Sequence, residues 1–217
     1  MRVLPITVNE ARPWILKKHY ARRMPCVQYA FGLFNDRMLL GVVTYGPPSS
    51  PNVGRSILGG MFESNVYELN RLCVDCNIKN STSVLVGRSL KMMPKPSCIV
   101  SYADGGQGHV GYIYQATNFI FTGAVRAHDS EYIVNGTKTH PRTLASRGIT
   151  SPKKWAVEND VLIIEPKPKN RYVYFCGNRR EIKAMRNALR YEVQPYPKGE
   201  TKRYDANAVF PTQQLLF

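Results

Sequence analysis

The sequence predicts an α/β (α+β) protein built on one mixed central β-sheet flanked by helices, with a basic C-terminal extension. Apolar residues alternate over short β-branched and aromatic runs, and recur at helical spacing between them, in the order helix, hairpin, strand, helix, strand, helix, strands. The 217 residues suit one domain with a full core and show no internal repeat or low-complexity tract. The expected division is a core over residues 1–135 and 171–192, a basic loop over 136–170 and a tail over 193–217.

Element by element, "NEARPWILKKHYA" reads as a helix capped by Asn9, with Trp14 and Leu16 facing inward and His19 and Tyr20 at its end. "QYAFGLFNDRMLLGVVTYG" places a polar pair, Asn35 and Asp36, between two strand-like runs, so a hairpin follows. "PPSSPNVGRSILGG" is rich in Pro, Gly and Ser and is read as a mobile or ligand-facing loop. "NVYELNRLCV" returns to a strand, and "NSTSVLVGRSLKMMP" is a helix capped by Asn80 or Ser81 and stopped by Pro94. "SCIVSYAD" is a strand, "GYIYQATNF" a helix, and "FIFTGAV" and "RYVYFC" are further strands.

Composition narrows the class. Thirty Lys and Arg against fifteen Asp and Glu give a formal charge of +15, which points to a polyanionic partner. No apolar run approaches the roughly 20 residues that cross a bilayer, and the start carries no signal-peptide core. Five scattered Cys argue for reduced thiols, and hence for a cytoplasmic protein. Two basic regions stand out. Lys138, Arg142, Arg147, Lys153 and Lys154 fall in an acid-free stretch with His140 and Trp155, suited to a phosphate backbone and a stacking ring. Arg179, Lys183, Arg186 and Arg190 recur on one face of the helix "NRREIKAMRNALRY", opposite Ile182, Met185 and Leu189.

The candidate chemistry gathers at "SYADGGQGHVGYIYQATN". Asp104 should stand at the carboxyl edge of the sheet, where open α/β folds place ligands. His109 could move protons near neutral pH or hold the turn, and Tyr114 shares a helix face with Asn118. Ser101, His109, Asn118, Asn80 and Ser81 are expected on the substrate. Arg71 fits its strand's alternation poorly and is a candidate for pairing an anion, with Glu68 or Glu63 as the ordinary alternative partner. Cys73 and Cys76 have metal spacing without a second pair. Iron or another metal is compatible with His, Asp and Tyr, but no spacing demonstrates it.

Taken in order, "HYARRMP", "FGLFNDRMLLGVVTYG", "ELNRLCV", "NSTSVLVGRSL" and "VSYADGGQGHVGYIYQATNFIFTG" resemble the Mom family of phage DNA modification proteins, over about residues 19–123. The resemblance implies a GNAT-related fold and an enzyme that converts adenine in DNA to N6-carbamoylmethyladenine, shielding phage DNA from restriction in the host cytoplasm. It implies catalytic roles for His19, Tyr20, Arg71, Asp104 and Tyr114. In GNAT enzymes a strand splays from its neighbour, the acyl donor enters the gap, and a tyrosine on the next helix commonly protonates the leaving group, a place Tyr114 resembles. The coenzyme A fingerprint of that fold is missing, since "CNIKNSTSVLVG" has no glycine before Gly87. The product's extra two carbons and nitrogen have the composition of glycine, so glycyl-tRNA is the favoured donor and acetyl-CoA the alternative. Double-stranded DNA, and tRNA with it, are the implied partners. The competing readings are an ordinary GNAT acetyltransferase on a protein or small amine, and a noncatalytic nucleic-acid-binding module.

Overall fold

In a computed structural model of the chain, residues 1–105, 108–126, 130–165 and 167–199 are described. The glycine-rich loop is therefore seen at Gly105 and Gly108 only, and most of the expected tail lies outside the described residues.

The chain opens with β1 (Arg2–Pro5) and a helix, α1 (Val8–Pro13), that continues as a wider π-helical turn over Trp14–Lys18. Its cap is Thr7 and not Asn9: Thr7 accepts from the Glu10 amide while the Glu10 carboxylate takes the Thr7 amide. Pro13, inside the helix, has no amide to donate, and the π turn follows directly after it. That turn rotates the phase, so Trp14 and Ile15 are buried and Leu16, expected inside, is exposed.

The hairpin forms as expected from β2 (Tyr29–Asn35) and β3 (Met38–Gly46). The Pro/Gly/Ser segment that follows is not all loop, because α2 (Asn52–Leu58) forms inside it and buries Ile57 and Leu58. Then come β4 (Val66–Val74), α3 (Ser81–Met92), β5 (Ser97–Asp104), the short α4 (Tyr112–Ala116) and β6 (Ile120–Val125). At the start of α3, Asn80 is left-handed and its side chain makes no cap.

The stretch expected to be a basic loop is folded. β7 (Glu131–Val134), β8 (Thr137–Thr139), α5 (Pro141–Ser146), α6 (Pro152–Glu158) and β9 (Leu162–Ile164) enclose a small core of Tyr132, Leu144 and Ala156. β10 (Lys169–Cys176) and α7 (Arg179–Ala188) complete the chain, α7 carrying a capping box between Asn178 and Glu181. Residues 192–199 then pack back across the sheet, Gln194 bonding to the Phe121 carbonyl and Tyr196 to that of Phe119.

The main sheet has the order β1-β2-β3-β4-β5-β10-β6; β7, β8 and β9 form a second, three-stranded sheet. Among the described strands β4 and β5 alone pair in parallel, joined by the helical crossover α3. One face of the main sheet packs on α3 and α4 through Leu69, Leu85, Val86, Ile99, Tyr114 and Phe119. The other packs on α2 and α7 through Ile57, Val66, Cys98, Val100 and Met185. Among the described residues no helix is long and apolar enough to cross a membrane.

Segment 19–28 is laid against the end of β3, where Gly46 is required by proximity: a Cβ there would run into the Cys26 carbonyl oxygen. Gly46→Ala is expected to destabilise the fold by about 2 kcal/mol through overpacking, measured as a lower urea midpoint with an unchanged m-value.

Candidate active site

The site is set by a parting in the sheet. β4 pairs with β5 only at Val66, Tyr67 and Glu68, opposite Cys98, Ile99 and Val100. Beyond that point β4 stays with β3 and β5 stays with β10, so the two strands diverge. Ser101, the first β5 residue past the pairing, has its hydroxyl 3.0 Å from the Leu69 carbonyl oxygen and 2.8 Å from the Tyr114 hydroxyl. A serine has one proton to give. Ser101 is the donor in both contacts, so that proton is shared between the Leu69 carbonyl and the Tyr114 phenol oxygen. Burial raises the Tyr114 pKa, so the phenol keeps its proton at neutral pH.

A β-bulge lies in β4 just past the last pair. Arg71 is opposite Thr44 while Leu69 is opposite Tyr45, leaving Asn70 as the extra residue. Leu69 and Leu72 consequently pack into the same cluster, and Arg71 is turned to the face that carries Glu68. This shift is why the strand's alternation looks irregular in sequence. The Arg71 guanidinium holds backbone: Nε and Nη2 donate to the Arg23 carbonyl at 3.2 and 3.1 Å, and Nη1 to that of Asn70 at 2.6 Å. The Asn70 amide donates to the Cys26 carbonyl at 3.0 Å. Together these bonds fasten segment 19–28 to β4. Neither alternative ion pair forms, since Glu63 binds Arg55 at 2.9 Å and Glu68 accepts from the Ser49 amide.

That segment delivers His19 and Tyr20. His19 ends the helical run, buried, with Nδ1 accepting from the Ala21 amide at 3.0 Å. Burial first, then the charges of Arg71 and His109, lower its pKa to about 4. It is therefore a neutral imidazole at physiological pH, and the Nδ1 bond leaves the proton on Nε2. Its ring stacks on Tyr20 at 4.4 Å, and Tyr20 meets His109 edge-on at 6.2 Å. Tyr20 is 54% exposed, yet the protein on its inward side, followed by Asp104 and Tyr114, pushes its phenol up to about 12. One phenol thus senses both Asp104 and Tyr114.

His19, Tyr20, Arg71, Ser101, Asp104, His109 and Tyr114 are therefore brought together. Asn80 and Asn118 are elsewhere, lining a groove of about 380 Å³ between α3 and α4 with Ser83, Gly87, Lys91 and Tyr174. Ser81 is buried and outside it. Of the basic residues, Lys138 pairs with Glu131 and Lys154 stands 3.8 Å from Glu158. Arg147, Lys153, Arg179, Lys183, Arg186 and Arg190 are exposed, and the Arg190 guanidinium covers Gly59. Arg142 is close enough to act on Glu68, a half-buried carboxylate at the closed end of the parting that sequence reasoning weighed only as a partner for Arg71. Among the described residues no group of three or more His, Cys, Asp or Glu could hold a metal ion, and no step below is routed through one. Cys73 and Cys76 are free, and burial raises the Cys73 thiol to about 11.

The Mom protein family profile matches residues 1–198. The chain belongs to the Mom protein family. A relative from Escherichia phage Mu, named methylcarbamoylase mom, is 32% identical over 207 residues, covering 91% of this chain and 84% of that protein. Among solved structures, a GNAT-family acetyltransferase from Bacillus cereus aligns with 80% of this family member and 96% of its own chain, at 11% identity and a TM-score of 0.43.

His19 supplies a pH test of this Mom-family site. Its folded-state pKa is depressed, so its contribution to stability is complete above pH 6.5 and is lost as the pH falls toward 4. The loss should reach about 3 kcal/mol. In His19→Gln, the stability measured by urea unfolding should vary less between pH 6.5 and 4 than in the wild type.

Proposed function

We propose that this protein modifies adenine in double-stranded phage DNA, transferring a glycyl or related acyl unit to N6 on the way to N6-carbamoylmethyladenine, which protects the DNA from host restriction. The observation that carries the reading is the meeting of Asp104, Tyr114, Tyr20, His19 and Arg71 around one parting between two strands. The methylcarbamoylase name of the phage Mu relative supports the same chemistry.

Adenine N6 is a poor nucleophile because its lone pair is delocalised into the ring, so it needs a base and a well-placed carbonyl carbon. Asp104, at the open end of β5, is the group assigned to draw the N6 proton or grip the amine. Tyr114, which remains a phenol, protonates the departing donor oxygen, and Ser101 aligns it. Tyr20, exposed and stacked on a neutral imidazole, offers a ring for an adenine swung out of the duplex. Arg71 positions the segment that carries both rings.

Glycyl-tRNA is favoured as donor over acetyl-CoA. Asn80 gives α3 no glycine-lined cradle for a pyrophosphate. After transfer, the glycyl amine attacks adenine C6 while the C6–N6 bond breaks, and the original N6 becomes the amide nitrogen. The sum is an isomerisation and consumes no oxidant.

Nucleosides from DNA of cells expressing the chain should contain N6-carbamoylmethyladenine by mass spectrometry. Asp104→Ala should abolish it and Tyr114→Phe should slow it by about 100-fold, each with DNA affinity retained. An unmodified adenine pool in wild-type cells refutes the reading, and loss of affinity alone in Asp104→Ala supports a binding module instead.

A further inference from the structure

Glu68 has no part in the steps above, yet it borders the parting in which the proposed transfer takes place. It is the last β4 residue paired with β5, so its side chain stands at the closed end of the parting. One carboxylate oxygen accepts from the Ser49 amide at 3.2 Å. Arg71 from β4, Lys169 from β10 and Arg142 from α5 act on it electrostatically, but no ion pair joins any of them to it among the described residues. Tyr102 and Tyr114 feel its charge. Burial raises the Glu68 pKa, more than these cations lower it, bringing it nearer the range of a working base. A half-buried carboxylate with spare acceptor capacity and no ion pair among the described residues can take an incoming ammonium group as its partner.

We propose that Glu68 binds the α-ammonium group of an aminoacyl donor and takes a proton from it. The proposal rests on the reading of the donor as a glycyl ester. The amine must be neutral before it can attack C6. Glu68 accepts one ammonium proton, forming its O–H bond as the N–H bond breaks. The freed lone pair then forms the new C6–N bond. As the C6–N6 bond breaks, a second proton passes from the attacking nitrogen to the departing amide nitrogen, and Glu68 returns its proton to solvent.

The two isomers can be told apart because N6-glycyladenine has a primary amine that reacts with amine-directed reagents and N6-carbamoylmethyladenine has none. In single turnovers with duplex DNA and saturating glycyl-tRNA labelled in the glycine, where a weakened donor contact no longer limits the rate, Glu68→Gln should label DNA at close to the wild-type rate. Conversion of the amine-reactive isomer should be slowed by at least about 100-fold. Wild-type conversion in Glu68→Gln, or equal loss of both steps in a variant with unchanged thermal midpoint, overturns the proposal. A second measurement needs no variant: at subsaturating donor, wild-type protein should label DNA from glycyl-tRNA at least about 100-fold faster than from N-acetylglycyl-tRNA, whose capped nitrogen carries no charge. Equal use of the two donors overturns the role of Glu68. Absence of label from either donor on wild-type protein overturns the donor assignment itself.

Discussion

The structure depends on the short register between β4 and β5. Three residue pairs hold the strands side by side, and the candidate site gathers at and just past the third. Buried backbone groups need partners, so a sheet that opens must satisfy the carbonyls it exposes. Here side chains do so: Ser101 takes the Leu69 carbonyl and Arg71 takes that of Asn70. The same two side chains then hold the candidate site, Ser101 through Tyr114 and Arg71 through the segment carrying His19 and Tyr20. Propping the sheet open and building the site are one set of interactions.

The rings around the parting are kept neutral while the surface is strongly basic. Burial lowers His19 and raises Tyr20 and Tyr114, so at neutral pH all three remain uncharged hydrogen-bonding groups. The formal charge of +15 is carried largely by exposed Lys and Arg, where it is screened over roughly 8 Å at physiological salt. Such charge draws in a polyanion and makes its binding depend on salt without fixing which atom reacts. Specificity for the reacting atom has to come from neutral donors and the few carboxylates held close to them.

Much of this architecture was legible in the sequence, and the failures have identifiable causes. The strands of the main sheet were readable because β-branched and aromatic runs between polar turns leave few alternatives. α2 was missed because Pro, Gly and Ser dominate its neighbourhood. Its Gly54 is demanded by the close approach of the Glu63 carbonyl, and composition does not report such contacts. The 131–164 module was missed because strands of three or four residues and helices of six or seven are shorter than the windows in which periodicity can be seen. The candidate residues Asp104 and Tyr114 were proposed through a motif. Glu68 was not, because a bulge one turn of the pleat away decides which face Arg71 takes, and so frees Glu68 from the pairing that alternation suggests.

The two faces of the sheet divide the labour. α7 packs on the Val66, Cys98 and Val100 side, with its cationic stripe outward, and Glu68 and Arg71 share that side. Arg142 and Lys169 add charge to it near the parting. Tyr114 comes from the opposite face, where α3 and α4 enclose their groove. An intact sheet would separate these groups by its full backbone layer. Where β4 and β5 diverge that layer is interrupted, and Tyr114 and Glu68 come within electrostatic reach of each other. The parting is thus the place where side chains rooted on opposite faces of one sheet act on each other.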